Sequence, residues 1–523
     1  MRHWTRVSAT QRRGLGSAGV SQLAAGAIVA FTGDSILEYN NTASTGVSNL
    51  NLSANGTGEL VQCQSLDPRF NIDTWMAADT YDVPYGREFY GANQGYAGQT
   101  STTVLARKSN SLSQSADLYV WAAGTNDGLE NAPAQTTAVA NGQTYANDVI
   151  ALNKRGLIIG VRPTGAAQNT AQRIAGRKTV NTGLAAIAAA NPGVIDYWDP
   201  WLAYDPDADD IVTAGFMADA LHPTAAGAYA AATGGLLAKL QEIIAPGDIM
   251  ALNANPELMS MPFAGSGGTS GHANITGTIP AGWTVDFHTG TTATVVCSIS
   301  SGKLVLNITG GASSTTVRVR PTTNITTVTN TDWLKLMADV ETTGGNIRVR
   351  LEDNLGVTNY YASGLLIDPA ATTGRAKSIT PSWMARSTAV RPCVLITAGI
   401  SAPAFVATIH TMTCKKQTSP KTTRNAGSVP TISVAPTAPT GTPTVGQVLT
   451  ANNGTWNQNS DSVAQTLAYR WYRGGVFRGS STGTASTYTL VAGDSATTIT
   501  CGVSAANPAG RSAEAVSPGV VIS

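Results

Sequence analysis

The sequence predicts three packed units: an α/β domain with a parallel sheet and helices on both faces, then two all-β sandwiches. Three observations predict this. From 27 to 246, short apolar runs such as "DLYVWAAGTND" and "GLIIGVRPTG" alternate with Ala-rich stretches of helical spacing. From about 255 to 417, Thr/Val alternations such as "TATVVCSI", "KLVLNI" and "NIRVRLED" replace them, broken by Gly and Asn turns. From 429 to 523, short strands recur between turn residues, as in "LAYRWYRGG" and "STYTLVAGD". At 523 residues the chain is also too long for a single core.

Taken in order, residues 1–26 form a basic arm with Arg2, Arg6, Arg12 and Arg13. The run that follows superficially suits a signal peptide, but Ser, Gln and repeated Gly interrupt it. Its apolar end, "AIVAF", leads straight into Gly33-Asp34-Ser35, so we read a first strand and its turn there. Residues 27–246 are the α/β domain, closed by the helical "TAAGAYAAATGGLLAKLQEII". Residues 255–417 are an antiparallel sandwich of jelly-roll size. Residues 418–428 are a polar, basic, Pro-bearing linker, and 429–523 are the last sandwich.

Composition excludes several function classes. The net charge of +1 gives no argument for nucleic acid as a partner. No run of 18 apolar residues occurs, so no membrane span is expected. The five cysteines, Cys63, Cys297, Cys393, Cys414 and Cys501, show no metal-ligand or framework spacing. A single bridge within 297–414 stays open. "LEDNLG" lacks the spacing of a calcium loop, and His272, His288 and His410 are scattered, so no metal site is expected.

The candidate chemistry begins at Ser35. A serine hydroxyl needs a base, and only His3 and His222 precede residue 246. His222 stands in "MADALHPTAAGAY", three residues after Asp219, just before the last helix. That spacing places a carboxylate beside one imidazole nitrogen while the other faces outward. Taken alone, D-x-x-H is more often a helix N-terminal acid beside a surface histidine. An oxyanion would need donors, and two strand ends offer them: Asn126 in "GTND" and the backbone at Gly98 in "NQGYAGQT". Each alone is more often a plain turn. Two other matches fail on context. "GLGSAG" at 14–19 has no strand before it, and "GSSTG" at 479–483 lies in a Ser/Thr loop.

Together and in this order, the four blocks resemble the SGNH, or GDSL-type, hydrolase family over roughly residues 27–246. Ile36 stands where the family name has leucine. The resemblance implies a flavodoxin-like sheet, Ser35 as nucleophile, His222 as base and Asp219 as its orienter. It implies an oxyanion hole from the Ser35 and Gly98 N–H groups and the Asn126 side chain, with no cofactor. The C-terminal strands, with Trp471 about thirty residues before Cys501, resemble an immunoglobulin-like sandwich of bacterial and phage surface proteins. Leu449 stands near where a partner cysteine would be, so Trp471 and Cys501 would pack without a disulfide.

The resemblance implies an esterase. A basic arm, a hydrolase and two sandwiches resemble a bacteriophage tail fibre or spike, located on the virion. Its expected substrate is O-acetylated host polysaccharide, its expected partners other virion proteins reached through the arm, or further copies in a homo-oligomer. The middle sandwich is a candidate carbohydrate binder through Trp283, Trp333, Trp383, Tyr360 or Tyr361, although such aromatics are more often core. Two alternatives stand: a secreted or surface-bound bacterial GDSL esterase or lipase, and a structural or receptor-binding fibre with a relic hydrolase domain.

Overall fold

The computed structural model describes residues 21–40, 42–43, 49–51, 56–72, 93–112, 116–252, 257–260, 263–310, 315–329, 332–353, 361–367, 374–380, 383–384, 388–398, 404–417, 430–457, 466–477, 486–507 and 510–523. Most of the basic arm, the linker 418–428 and the two rejected glycine motifs lie outside them.

Six parallel strands form the first sheet: β1 (Ala27–Gly33), β2 (Phe70–Asn71), β3 (Asn93–Gly95), β4 (Leu118–Ala122), β5 (Arg155–Ile159) and β6 (Ile195–Trp198). Both β2 and β3 pair with one edge of β1, and β4, β5 and β6 follow on the other. Alternate side chains of each strand enter different cores. Val29, Phe31, Leu118, Val120 and Ala122 pack against helices α2 (Glu59–Leu66), α6 (Ala225–Ala231) and α7 (Leu237–Ile243). Ala30, Tyr119 and Trp121 pack against α3 (Ser101–Ala106), α4 (Ala132–Ala151) and α5 (Ala171–Ala190). With helices on both faces, every residue of β4 is buried, which is why "LYVWA" reads as a continuous apolar run.

The chain leaves β1 to one side and returns to β4 on the other, so the strand order reverses at the carboxyl end of β1. In open α/β sheets the ligand crevice forms at that point. Gly33 closes β1 there because the two strands approach too closely for a side chain. A Cβ at Gly33 would stand 2.1 Å from the Ala122 carbonyl oxygen.

Two eight-stranded sheets enclose a separate core that holds Trp283, Val317, Leu336, Ile347 and Ile409. Their long ladders are antiparallel, as the Thr/Val alternation predicts, while three short pairs run parallel. Trp283 and Trp333 are buried, so neither is free to stack on a sugar. The side chains of Tyr360, Tyr361 and Trp383 lie outside the described residues. All five cysteines are buried free thiols, so the 297–414 region carries no bridge. In the last unit Trp471 lies directly across the ladder from Cys501 and stacks on Tyr488, with Leu449 in the same core.

One connection is not visible in the sequence. Residues 42–43 and 49–51, between the first and second helices of the α/β unit, extend a sandwich sheet by pairing with Tyr361–Ser363. Leu365 in turn enters the core of the α/β unit, and Ile249 and Met250 pack on Met337 and Ile379. Lys377 pairs with Asp248 at 2.6 Å, and Lys335 donates to Asn71 at 3.1 Å. The two units share apolar surface. Leu365→Ala is therefore expected to destabilise the α/β unit by about 2–3 kcal/mol. Denaturant unfolding followed by circular dichroism checks this, and an unchanged midpoint would show that the contact carries no stability.

Candidate active site

Ser35 opens α1 (Ser35–Glu38), a single turn that begins directly after β1. Asp34 caps it: its Oδ1 accepts the Ile36 N–H at 3.1 Å. The Asp34 carboxyl is fully buried, and that burial pushes its pKa above the ordinary 3.8 while the Arg162 guanidinium pulls it back. Arg162 itself forms a buried bidentate pair with Glu59, and the Tyr204 hydroxyl donates to Glu59 at 2.6 Å. Glu59 and Arg162 thus satisfy each other in the interior, as buried charges require, and the Arg162 charge also acts on Asp34 in the turn that holds the serine.

His222 lies 187 residues from Ser35 in the chain and 2.8 Å away in the fold, Nε2 facing Oγ. Its Nδ1 donates to Asp219 Oδ2 at 2.7 Å. Asp219 Oδ1 accepts the N–H groups of Leu221 and His222 at 2.7 and 2.8 Å. The D-x-x-H spacing thus closes a local turn in which one carboxylate fixes both the loop and the ring. Those hydrogen bonds, first the one from the imidazole, hold the Asp219 pKa down at about 2. The Tyr39 ring covers the imidazole, with ring centroids 5.0 Å apart. This neighbour, one helical turn after Ser35, was not singled out in the sequence.

The three oxyanion candidates stand at adjoining strand ends. Gly33, Gly95 and Ala122 are in register across β1, β3 and β4, and Ser35, Gly98 and Asn126 follow them. Gly98 has φ +72°, a conformation open to glycine. Among the described residues, neither the Ser35 nor the Gly98 N–H donates to a protein acceptor. Asn126 Nδ2 donates one hydrogen to the Gln99 carbonyl at 3.1 Å, which orients the amide and leaves its second hydrogen available. Asp127, the last residue of "GTND", accepts the Ser101 N–H and hydroxyl, both at 2.8 Å, so it caps α3 and braces the turn. Arg173 braces the other side by donating to the Thr125 carbonyl at 2.6 Å.

Ser35 Oγ thus faces an imidazole held by a carboxylate, with the Gly98 and Asn126 N–H groups following the two adjoining strand ends. Residues 31–230 match the family model described as the GDSL-like Lipase/Acylhydrolase family. The chain thus carries a GDSL-like lipase/acylhydrolase domain over that segment. No curated protein matches the chain. Among solved structures, Axe2, an acetylxylan esterase from Geobacillus stearothermophilus, is similar at 18% identity and TM-score 0.31, over 43% of this chain and 96% of that one. A Bacteroides fragilis protein described as an acylhydrolase is similar at 19% identity and TM-score 0.28, over 40% of this chain and 86% of that one.

The low Asp219 value has a consequence for pH dependence. Its folded-state value lies below the ordinary 3.8, so the contact with His222 favours the folded chain at higher pH and is lost as pH falls towards about 2. Asp219 is therefore ionised well above pH 2, and its own protonation adds no step to an acid limb near neutral pH. A plot of log kcat/KM against pH is expected to fall on the acid side with a slope of one. A slope of two would show that a second group, such as Asp219, titrates in the same range.

Proposed function

We propose that this acylhydrolase is a serine esterase that removes O-acetyl groups from host-surface polysaccharide, carried on a phage particle. One observation carries the esterase mechanism: the continuous relay from Asp219 through His222 to Ser35 Oγ. Ser35 Oγ attacks the ester carbonyl carbon as its proton passes to His222 Nε2. The oxyanion that forms is held by the Ser35 and Gly98 N–H groups and the Asn126 amide. Collapse expels the alcohol, which takes the proton from Nε2, and water repeats the sequence to release the acid. The ionised Asp219 stabilises the imidazolium at each step.

The choice of substrate rests on access and on architecture. His222 is partly exposed and Asp219 largely so, which suits a substituent carried on a bulky polymer. The virion reading rests on the basic arm and on the two all-β units after the hydrolase. On this reading the arm holds the protein to the particle.

Ser35→Ala is expected to lower hydrolysis of aryl acetates by about 10³-fold or more, since only binding and the oxyanion hole remain. The same substitution should abolish acetate release from acetylated bacterial capsule or lipopolysaccharide. Equal acetate release by the altered and unaltered chains would remove the proposal, and aryl ester turnover without any release from glycan would remove its substrate half. Asn126→Ala is expected to lower kcat by about 10²-fold with KM little changed, because its donor acts on the developing oxyanion. A pure KM effect would assign Asn126 to substrate binding instead.

A further inference from the structure

Arg107, half-buried in the turn between α3 and the helix Lys108–Leu112, has no part in the relay. Its guanidinium nevertheless bonds at two of the three strand ends that precede an oxyanion donor, and bonds the residue that orients the third donor. Nη2 donates to the Gly33 carbonyl at 2.8 Å, two residues before Ser35. Nη1 donates to the Gln94 carbonyl at 2.5 Å, in the strand that leads to Gly98. Nε donates to Gln99 Oε1 at 2.5 Å, and the Gln99 backbone carbonyl is the acceptor that orients Asn126. The planar group also stacks on Tyr96, 4.5 Å from the ring centroid.

The turn that holds Gly98 needs such a tie. Gly98 is exposed, and no heavy atom lies within 4 Å of where its Cβ would be. Packing does not hold it. What fixes the turn is polar: the Tyr96 N–H donates to the Gly33 carbonyl at 3.1 Å, and Arg107 bonds on both sides of it. A guanidinium suits the task because its rigid fork can bond several acceptors in one plane, which an ammonium on a flexible stem cannot.

We propose that Arg107 is a positioning residue that sets the spacing of the Ser35, Gly98 and Asn126 donors and so the fit of the oxyanion. This deepens the esterase reading and rests on it. Among the described residues the Arg107 guanidinium bonds to Gly33, Gln94 and Gln99, so its effect on the donors passes through them. Displaced donors would meet the tetrahedral intermediate poorly while the planar ester still bound.

The test compares the full-length chain with Arg107→Met and Arg107→Lys, using an aryl acetate and titration with a fluorophosphonate. Arg107→Met is expected to lose about 10²-fold in kcat, as small misplacements of catalytic groups do. KM should stay within about twofold, and the fluorophosphonate should still label one site per chain at completion. Arg107→Lys should lie between the two, and added methylguanidinium should restore part of the kcat of Arg107→Met. A kcat for Arg107→Met within about twofold of the unaltered chain would overturn the inference. So would a loss matched by an equal loss of labelled sites, which would make Arg107 a folding residue only. An unaltered chain that neither turns over aryl acetate nor takes the label would instead overturn the esterase reading, and this inference with it.

Discussion

A hydrogen bond of 2.8 Å joins two residues that stand 187 positions apart, and the α/β unit is arranged so that it can form. Ser35 reaches it only because β1 ends at a glycine that can lie against the Ala122 carbonyl. His222 reaches it because Asp219 folds the preceding loop back on itself with three hydrogen bonds. Each partner is placed by its own local constraint, and the parallel sheet supplies the common frame.

Around this bond the charges are arranged in two layers. Those near the serine are fully buried: Arg162 is paired with Glu59, and its charge also acts on the Asp34 carboxyl. Removing one member of such a set leaves an uncompensated charge in a low dielectric, which costs far more than an exposed pair is worth. The layer that meets substrate is different. Asp219 is largely exposed, and its low pKa comes from directed hydrogen bonds and not from burial. A rigid base and an accessible rim suit a site that must hold its geometry while staying open to solvent.

What the sequence showed follows from how local each signal is. Ser35, Gly98, Asn126, Asp219 and His222 each stand in a short block next to a strand end or helix start, and the structure joins Asp219, His222 and Ser35 by hydrogen bonds while Gly98 and Asn126 follow adjoining strand ends. The alternating α/β pattern and the later Thr/Val alternation likewise depend on neighbours a few residues apart. The supporting side chains were not legible in the same way. Arg107 follows a short helix with nothing local to mark it, and Glu59 is 103 residues from the Arg162 it pairs with. The strand Asn49–Asn51 pairs with Tyr361–Ser363, hundreds of residues later, a pairing no local pattern encodes. Trp283 shows the opposite limit: its residue type allowed both sugar stacking and core packing, and only its burial decides for the core.

The account depends most on Ser35 forming a covalent bond with the acyl group. Quenching the chain in acid during turnover of an aryl acetate, followed by peptide mass mapping, tests this directly. The account predicts one acetyl group on the peptide that contains Ser35, at Ser35 itself. Turnover with an acetyl group on another residue, or with no acyl-enzyme when product release shows a burst, would contradict it.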